Sequence, residues 1–220
     1  MKRAHRIRLI FSLLVLLCLI AIPVSQQPAP SFIKNPGLSE EAQAAKDLLQ
    51  SLEVKGRAPK TDYTRAQFGD GWTSIDGCDT RNSILARDLQ EVTLNDICQV
   101  VSGVLSDPYT NSEIIFKRGA ATSARVQIDH VVALSNAWQT GAQQLSAVQR
   151  VQFANDPLEL LAVDGQANQQ KSDGDAATWL PKNKSFRCTY ISRQIAVKVK
   201  YRLWVTPPEK LAMERILNEC

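Results

Sequence analysis

The sequence predicts a single α+β domain behind an export leader. Three observations carry this. The 220 residues suffice for one sizeable core and are too few for two. Short alternating apolar runs, including a hairpin around "DPYTN", stand among stretches of helical periodicity. Four cysteines follow an apolar leader. The overall make-up, 44% hydrophobic and 22% charged, is that of an ordinary globular protein.

Residues 1–25 read as a signal peptide or an uncleaved anchor. "MKRAHRIR" is positive, "LIFSLLVLLCLIAIPV" is apolar but short for a membrane span, and small polar residues follow. The leader carries Lys2, Arg3, Arg6 and Arg8 without an acid, so it accounts for the whole formal charge of +4. The mature chain is near neutral. That excludes a globally basic nucleic-acid binder and leaves only local attraction for phosphate. The expected location is secreted or extracellular, or N-terminally anchored on the outer face of the membrane.

Residues 26–37, rich in Pro, Gln and Ser, read as a linker, and 38–220 as the domain. Ser39 suits an N-cap; Ala42, Ala45, Leu48, Leu49 and Leu52 then recur at helical spacing up to Gly56. "YTRAQFGDGWTSIDG" reads as a structured loop. "CDTRNSILARDLQEV" reads as a helix with Ile84, Leu85 and Leu89 inside. "CQVVSGVLS" and "EIIFKRG" are the two strands of the hairpin. "ARVQIDH" is a further extended run. "NAWQTGAQQLSAVQRVQFA" is helical in part, interrupted at Gly141. "DPLELLAVDG" is a short strand, and "QANQQKSDGD" opens a short helix. "AVKVKYRLWV" alternates like a strand, but its surroundings favour helix. The last helix is marked by Thr206 as cap, Pro207 at its first position and Glu209 closing a capping box.

Cys78, Cys98, Cys188 and Cys220 remain after the leader, an even count that reads as two disulfides in an exported protein. Three pairings are possible. Cys78–Cys98 and Cys188–Cys220 are favoured, because each closes a loop within its own half of the chain. A zinc site is disfavoured, since there is no closely spaced cysteine pair and one histidine outside the leader.

That histidine is His130, beside Asp129 in "QIDHVVALSNAW". Downstream come Asn155 in "FANDPLELLAVDG", and Asn168 and Lys171 one turn apart in "ANQQKSDGD". Together with "CDTRN", "DPYT", "NQQKSDGDAATWLP" and "LWVTPPE", this ordered set resembles the HNH, or ββα-metal, nucleases. More closely it is similar to a secreted branch related to the C-terminal nuclease domain of GmrSD-type restriction enzymes. The resemblance runs from about Tyr63 to Cys220, with the motif core at about 120–180.

The resemblance implies a ββα-metal core with flanking helices and a metal-dependent endonuclease that cuts nucleic acid, DNA first, as a monomer with weak sequence preference. It implies His130 as general base, a task that suits an imidazole near neutral pH. It implies Asp129 and Asn168 as ligands of Mg²⁺, with Mn²⁺ as the other option, because both present hard oxygens. Asn155 would position the histidine, and Lys171 would contact phosphate or stabilise developing charge. The last motif position is Asn168 rather than His, which leaves two clear ligands; Asp173 or Asp175 is a further option. Adjacent strand residues point to opposite faces, so Asp129 and His130 share a site only if the strand ends there.

Around this set, Arg81 reads equally as a phosphate contact or as an ion-pair partner of Asp79. From Pro181 to Pro208 there is no acid but seven cations, among them Lys184 and Arg187, which suits either a phosphate-backbone groove or a solvated face. The alternative to an enzyme is a catalytically inactive, disulfide-stapled extracellular binding module on the same fold.

Overall fold

The chain builds its core around a two-stranded ladder that separates two apolar clusters. The computed structural model describes residues 37–75, 77–120 and 122–220. The leader, the linker up to residue 36 and the side chain of Ser39 lie outside that description. From Pro36 on, the chain is one unit. Among the described residues no helix is long and apolar enough to cross a membrane.

Helix α1 (Gly37–Ser51) starts before Ser39, which therefore does not cap it, and buries Ala42, Ala45 and Leu49 of its predicted stripe while Leu48 is exposed. It packs against α6 (Arg187–Lys200) and α7 (Pro207–Asn218). The basic segment that alternates like a strand is helical as far as Lys200; Tyr201–Val205 leave the helix, and Val205 bridges to Val54. Its apolar positions Tyr190, Ile191, Ile195 and Val197 meet the helical spacing of α1. Thr206 and Glu209 form the predicted capping box of α7.

A short ladder pairs β1 (Ser74–Ile75) with β2 (Cys78–Asp79), which leads into α2 (Thr80–Asp88). The Asp79 carboxylate caps that helix by accepting from Asn82 N. The helix was expected to run on through "LQEV". Instead Gln90–Leu94 is strand β3, which pairs with β4 (Val100–Ser106), itself the partner of β5 (Glu113–Lys117). Propensity there gave way to an open edge of the predicted hairpin, and two register shifts mark the fit of the added strand. Both favoured disulfides are present, Cys78–Cys98 and Cys188–Cys220. Closing loops of 20 and 32 residues stabilises by roughly 3 to 4 kcal/mol each on the chain-entropy account.

The central ladder is β6 (Val126–His130) against β7 (Leu160–Asp164), antiparallel, with Asp129 opposite Leu161 and His130 opposite Leu160. Val126, Ile128, Leu160 and Ala162 join the sheet-side cluster with Leu85, Leu105 and Phe116. Leu161 and Val163 join the helix-side cluster with Phe153, Tyr190 and Met213. Between the two strands run α3 (Leu134–Gln139) and α4 (Ala147–Ala154), split where Gly141 adopts φ 127. Ser146 and Gln149 form a capping box on α4.

Helix α5 (Gly165–Lys171) leaves β7 at once, with Asp164 as its cap. This strand–strand–helix unit carries every residue of the motif but Asn155. It depends on Gly165: a Cβ there would lie 2.1 Å from the Ala124 carbonyl oxygen. Gly165→Ala is therefore expected to cost about 3 kcal/mol, at the upper end of overpacking. Urea unfolding measures it; an unchanged midpoint would contradict this packing.

Candidate active site

Strand β6 ends at His130 because the next main-chain groups are claimed by buried side chains. Val131 N still donates to the Glu159 carbonyl at 2.9 Å. Then Val132 N turns to the Glu159 carboxyl group, 3.2 Å from each oxygen. The Val131 carbonyl accepts from Gln194 Nε2 at 2.7 Å and from the Tyr190 hydroxyl at 3.4 Å. Strand geometry gives way here to a fixed turn, so Asp129 and His130 reach one cleft from opposite faces of the strand.

Lys171 holds the pair. Its Nζ donates to Asp129 Oδ1 at 2.9 Å and to the His130 carbonyl at 2.7 Å, with no side-chain surface exposed. The Tyr109 hydroxyl donates to the other oxygen, Asp129 Oδ2. Lys171 thus faces inward, not into the cleft where a phosphate would contact it. Burial pushes the Glu159 carboxyl well above the usual carboxylate range, against the pull of nearby Lys171.

His130 is 6% exposed, and its Nε2 lies 3.0 Å from the Ala154 carbonyl oxygen. A carbonyl only accepts, so Nε2 carries the proton and Nδ1 keeps its lone pair. The Trp72 ring lies parallel to the imidazole, with centroids 5.7 Å apart and planes 8° apart. Desolvation lowers the pKa of His130 to about 3; Arg65 and Lys171 push the same way, and the bond to Ala154 opposes. The ring is neutral at neutral pH. Asn155 does not touch it. Its Oδ1 accepts from Thr73 N at 2.9 Å and its Nδ2 donates to the Val151 carbonyl at 3.0 Å. It thereby ties the Trp72–Thr73 loop to the end of α4, the source of the Ala154 carbonyl.

Asp129, His130 and Asn168 line a cleft of about 570 Å³. Asn168 Nδ2 donates to Gln127 Oε1 at 2.9 Å, leaving its own Oδ1 without a hydrogen bond from a described residue. Among the described residues no three His, Cys, Asp or Glu side chains cluster to hold a metal. The donor set is therefore two hard oxygens, one on Asp129 and one on Asn168. That fits an ion such as Mg²⁺, which keeps several waters and takes phosphate oxygens. Each Asp129 oxygen retains a lone pair beyond its hydrogen bond. Of the further ligand options, Asp173 lines the cleft but pairs with Lys60 at 2.6 Å; Asp175 pairs with Arg57 at 2.7 Å and faces away.

Three cations rim the cleft: Lys60, Arg65 and Arg81. Arg81 donates to the Val126 carbonyl at 3.0 Å, and no ion pair links it to Asp79, which is occupied as a cap. Lys184 and Arg187 are elsewhere, on a groove of about 150 Å³ beside Cys188. Several cations of the acid-free segment are engaged by the protein itself. Arg193 donates to the carbonyls of Pro157, Leu158 and Leu160, Lys198 is buried against Glu209, and Lys200 pairs with Asp156. Asn136 and Trp138 serve the framework: Asn136 Oδ1 faces Lys198 Nζ at 3.5 Å, and Trp138 Nε1 donates to the Thr61 carbonyl at 3.2 Å. Sequence reasoning missed Arg65 and Trp72, which sit in the Gly- and aromatic-rich stretch read only as a loop. It also missed Tyr109, hidden within the "DPYT" turn.

Two outcomes follow for stability. Lys171→Met leaves a buried carboxylate unpaired and is expected to cost about 3–5 kcal/mol by urea unfolding. His130 has a folded pKa below its unfolded value of 6.5. Between pH 6.5 and 3 the unfolded chain binds a proton that the folded chain refuses, so this group's contribution is lost as pH falls. Glu159 has the opposite sign, because its raised folded pKa makes stability fall as pH rises above its unfolded value of 4.5. The difference between the wild type and His130→Gln isolates the histidine. From pH 7 to pH 5 the wild type is expected to lose about 2 kcal/mol more than the variant. Equal losses would contradict a dry, neutral His130.

The family model described as GmrSD restriction endonucleases, C-terminal domain, matches residues 79–216. A protein of Arthroderma benhamiae named "Uncharacterized secreted protein" is 39% identical over 207 residues, covering 92% of this chain and 96% of its own. No solved structure matches the chain. The model spans more than half of the sequence and includes β6, β7, α5 and the cleft residues Arg81, Asp129, His130 and Asn168, so the chain belongs to the family of GmrSD restriction endonuclease C-terminal domains.

Proposed function

We propose that the chain is a secreted, divalent-metal-dependent endonuclease that hydrolyses phosphodiester bonds in nucleic acid, DNA first, as a monomer. The observation that supports this is the His130 ring: its Nε2 faces the Ala154 carbonyl, which leaves Nδ1 as the basic nitrogen, and His130 lines one cleft with Asp129 and Asn168. The unit β6–β7–α5 is read as a ββα-metal core on this ground, and the family as a nuclease family supports the reaction class. The name of the Arthroderma protein supports export.

His130 takes a proton through Nδ1 from the water that attacks phosphorus. The imidazolium so formed is stabilised by the Ala154 carbonyl through Nε2–H and by the arriving phosphate charge. Asp129 and Asn168 would hold Mg²⁺ or Mn²⁺, whose chemistry there is Lewis-acid stabilisation of phosphate and leaving-group charge. Arg65 and Arg81 meet phosphate oxygens at the rim. Lys171 positions Asp129 and His130 rather than touching substrate. Asn155 keeps Trp72 over the imidazole through Thr73.

A binding module without activity gains from one observation, that both Asp129 oxygens are engaged by protein groups. Incubation of the mature protein with supercoiled plasmid separates the two readings. Nicking is expected with Mg²⁺ or Mn²⁺ and not with EDTA, and His130→Ala is expected to lose at least about 100-fold. No nicking by folded wild type under either metal, or equal nicking by the variant, would overturn the proposal.

A further inference from the structure

A second, wider groove of about 930 Å³ lies behind the loop that carries Trp72. Thr73 and Asn155 line it, while the adjacent Trp72 lines the cleft, so a two-residue wall separates groove and cleft. Its floor is unusually rich in side-chain amides. Gln149 and Gln152 stand three apart on α4, and Gln144 joins them from the preceding turn. All three are exposed. An amide both donates and accepts, so it can meet the edge of any base by rotating.

The far side carries Tyr201 and Arg202. Arg187, Arg193, Lys198 and Lys200 of the acid-free segment are engaged by carbonyls or carboxylates. Arg202 is exposed, and no ion pair joins it to a described residue. It also sits in left-handed backbone, φ 53, just past the end of α6, where Leu203 N donates to the Lys198 carbonyl. Glycine suits that position; arginine there is strained, and no hydrogen bond or ion pair of its side chain with a described residue offsets the strain.

We infer that this groove binds the stretch of polynucleotide flanking the scissile phosphate, with Arg202 on a phosphate and Gln144 and Gln152 on base edges, while Gln149 stays in the capping box through its bond from Ser146 N. This rests on the nuclease reading for its link to the cleft, but the binding itself does not. Amide contacts add length-dependent affinity with little sequence preference, and Arg202, beside the paired Lys200 and Asp156 of the same groove, adds one phosphate contact.

The test compares wild type, Arg202→Gly and Gln144→Ala/Gln152→Ala in the mature chain with Mg²⁺. Substrates are bis-p-nitrophenyl phosphate, a 20-nucleotide single strand and a 20-base-pair duplex. Both variants are expected to turn over the small diester as wild type does, and to raise KM about tenfold for at least one oligonucleotide. A rise for the single strand alone, or for the duplex alone, identifies the form bound. Arg202→Gly is expected to melt no lower than wild type, which separates lost binding from lost folding. Oligonucleotide KM values within twofold of wild type for both variants would overturn the groove.

If wild type cleaves nothing, the nuclease reading falls and binding decides the groove. Fluorescence anisotropy with the same labelled oligonucleotides is expected to weaken about tenfold in Arg202→Gly, with the salt slope reduced by about 1. Unchanged affinity in that assay would overturn it.

Discussion

The Lys171 ammonium, shared between the Asp129 carboxylate and the His130 carbonyl, is the contact on which the rest of the site depends. It joins the end of β6 to the end of α5, and so sets the angle between the ladder and the helix that bears Asn168. Burying two charges is expensive, and attraction repays it only when the remaining hydrogen-bonding capacity is satisfied. Here Tyr109 satisfies the second oxygen of Asp129, and Gln194 and Tyr190 satisfy the next carbonyl along. The carboxyl of Glu159, pushed by burial toward its neutral form, accepts from Val132 N without adding a full second negative charge. A buried frame of this kind contributes more to fixing one geometry than to net stability.

The site divides its labour by depth. The groups that set geometry are buried or half-buried, and exposed Arg65 and half-buried Arg81, which would meet phosphate, stand at the rim. His130 stands at the boundary, backed by the Ala154 carbonyl and covered by Trp72. Dryness makes its proton affinity low in the free protein. An arriving phosphate brings negative charge into the same low-dielectric space and raises that affinity when the reaction needs it. Asn155 acts at one remove, holding both the loop above the ring and the helix end beneath it.

Much of this was legible in the sequence, and the reasons are local. Leu49, Tyr190 and Ile195 follow helical spacing, Thr206 and Glu209 make a capping box, and Gly141 breaks a helix where a left-handed residue is needed. Cys78–Cys98 and Cys188–Cys220 close within their own halves of the chain. Strand β3 was not legible, because its pairing with β4 is a tertiary event that "LQEV" does not encode. The part of Lys171 was misjudged for a related reason. Helical spacing places it one turn from Asn168, but whether its long side chain turns outward or inward is decided by Asp129, 42 residues away. Arg65 and Trp72 gave no periodic signal at all, since a glycine-rich loop brings them to the cleft. The cations of α6 looked like a surface and were mostly spent on carbonyl and carboxylate partners inside the fold.

The central claim is that His130 is held as the neutral tautomer with its proton on Nε2 and its lone pair on Nδ1. The other histidine is His5, so a chain made without residues 1–25 carries one imidazole. Nitrogen-15 NMR of the histidine-labelled mature protein at pH 7 therefore reads a single ring. The account predicts a protonated Nε2 and a bare Nδ1, a pattern that Ala154 enforces. A proton on Nδ1, or an imidazolium with both nitrogens protonated at that pH, would contradict it.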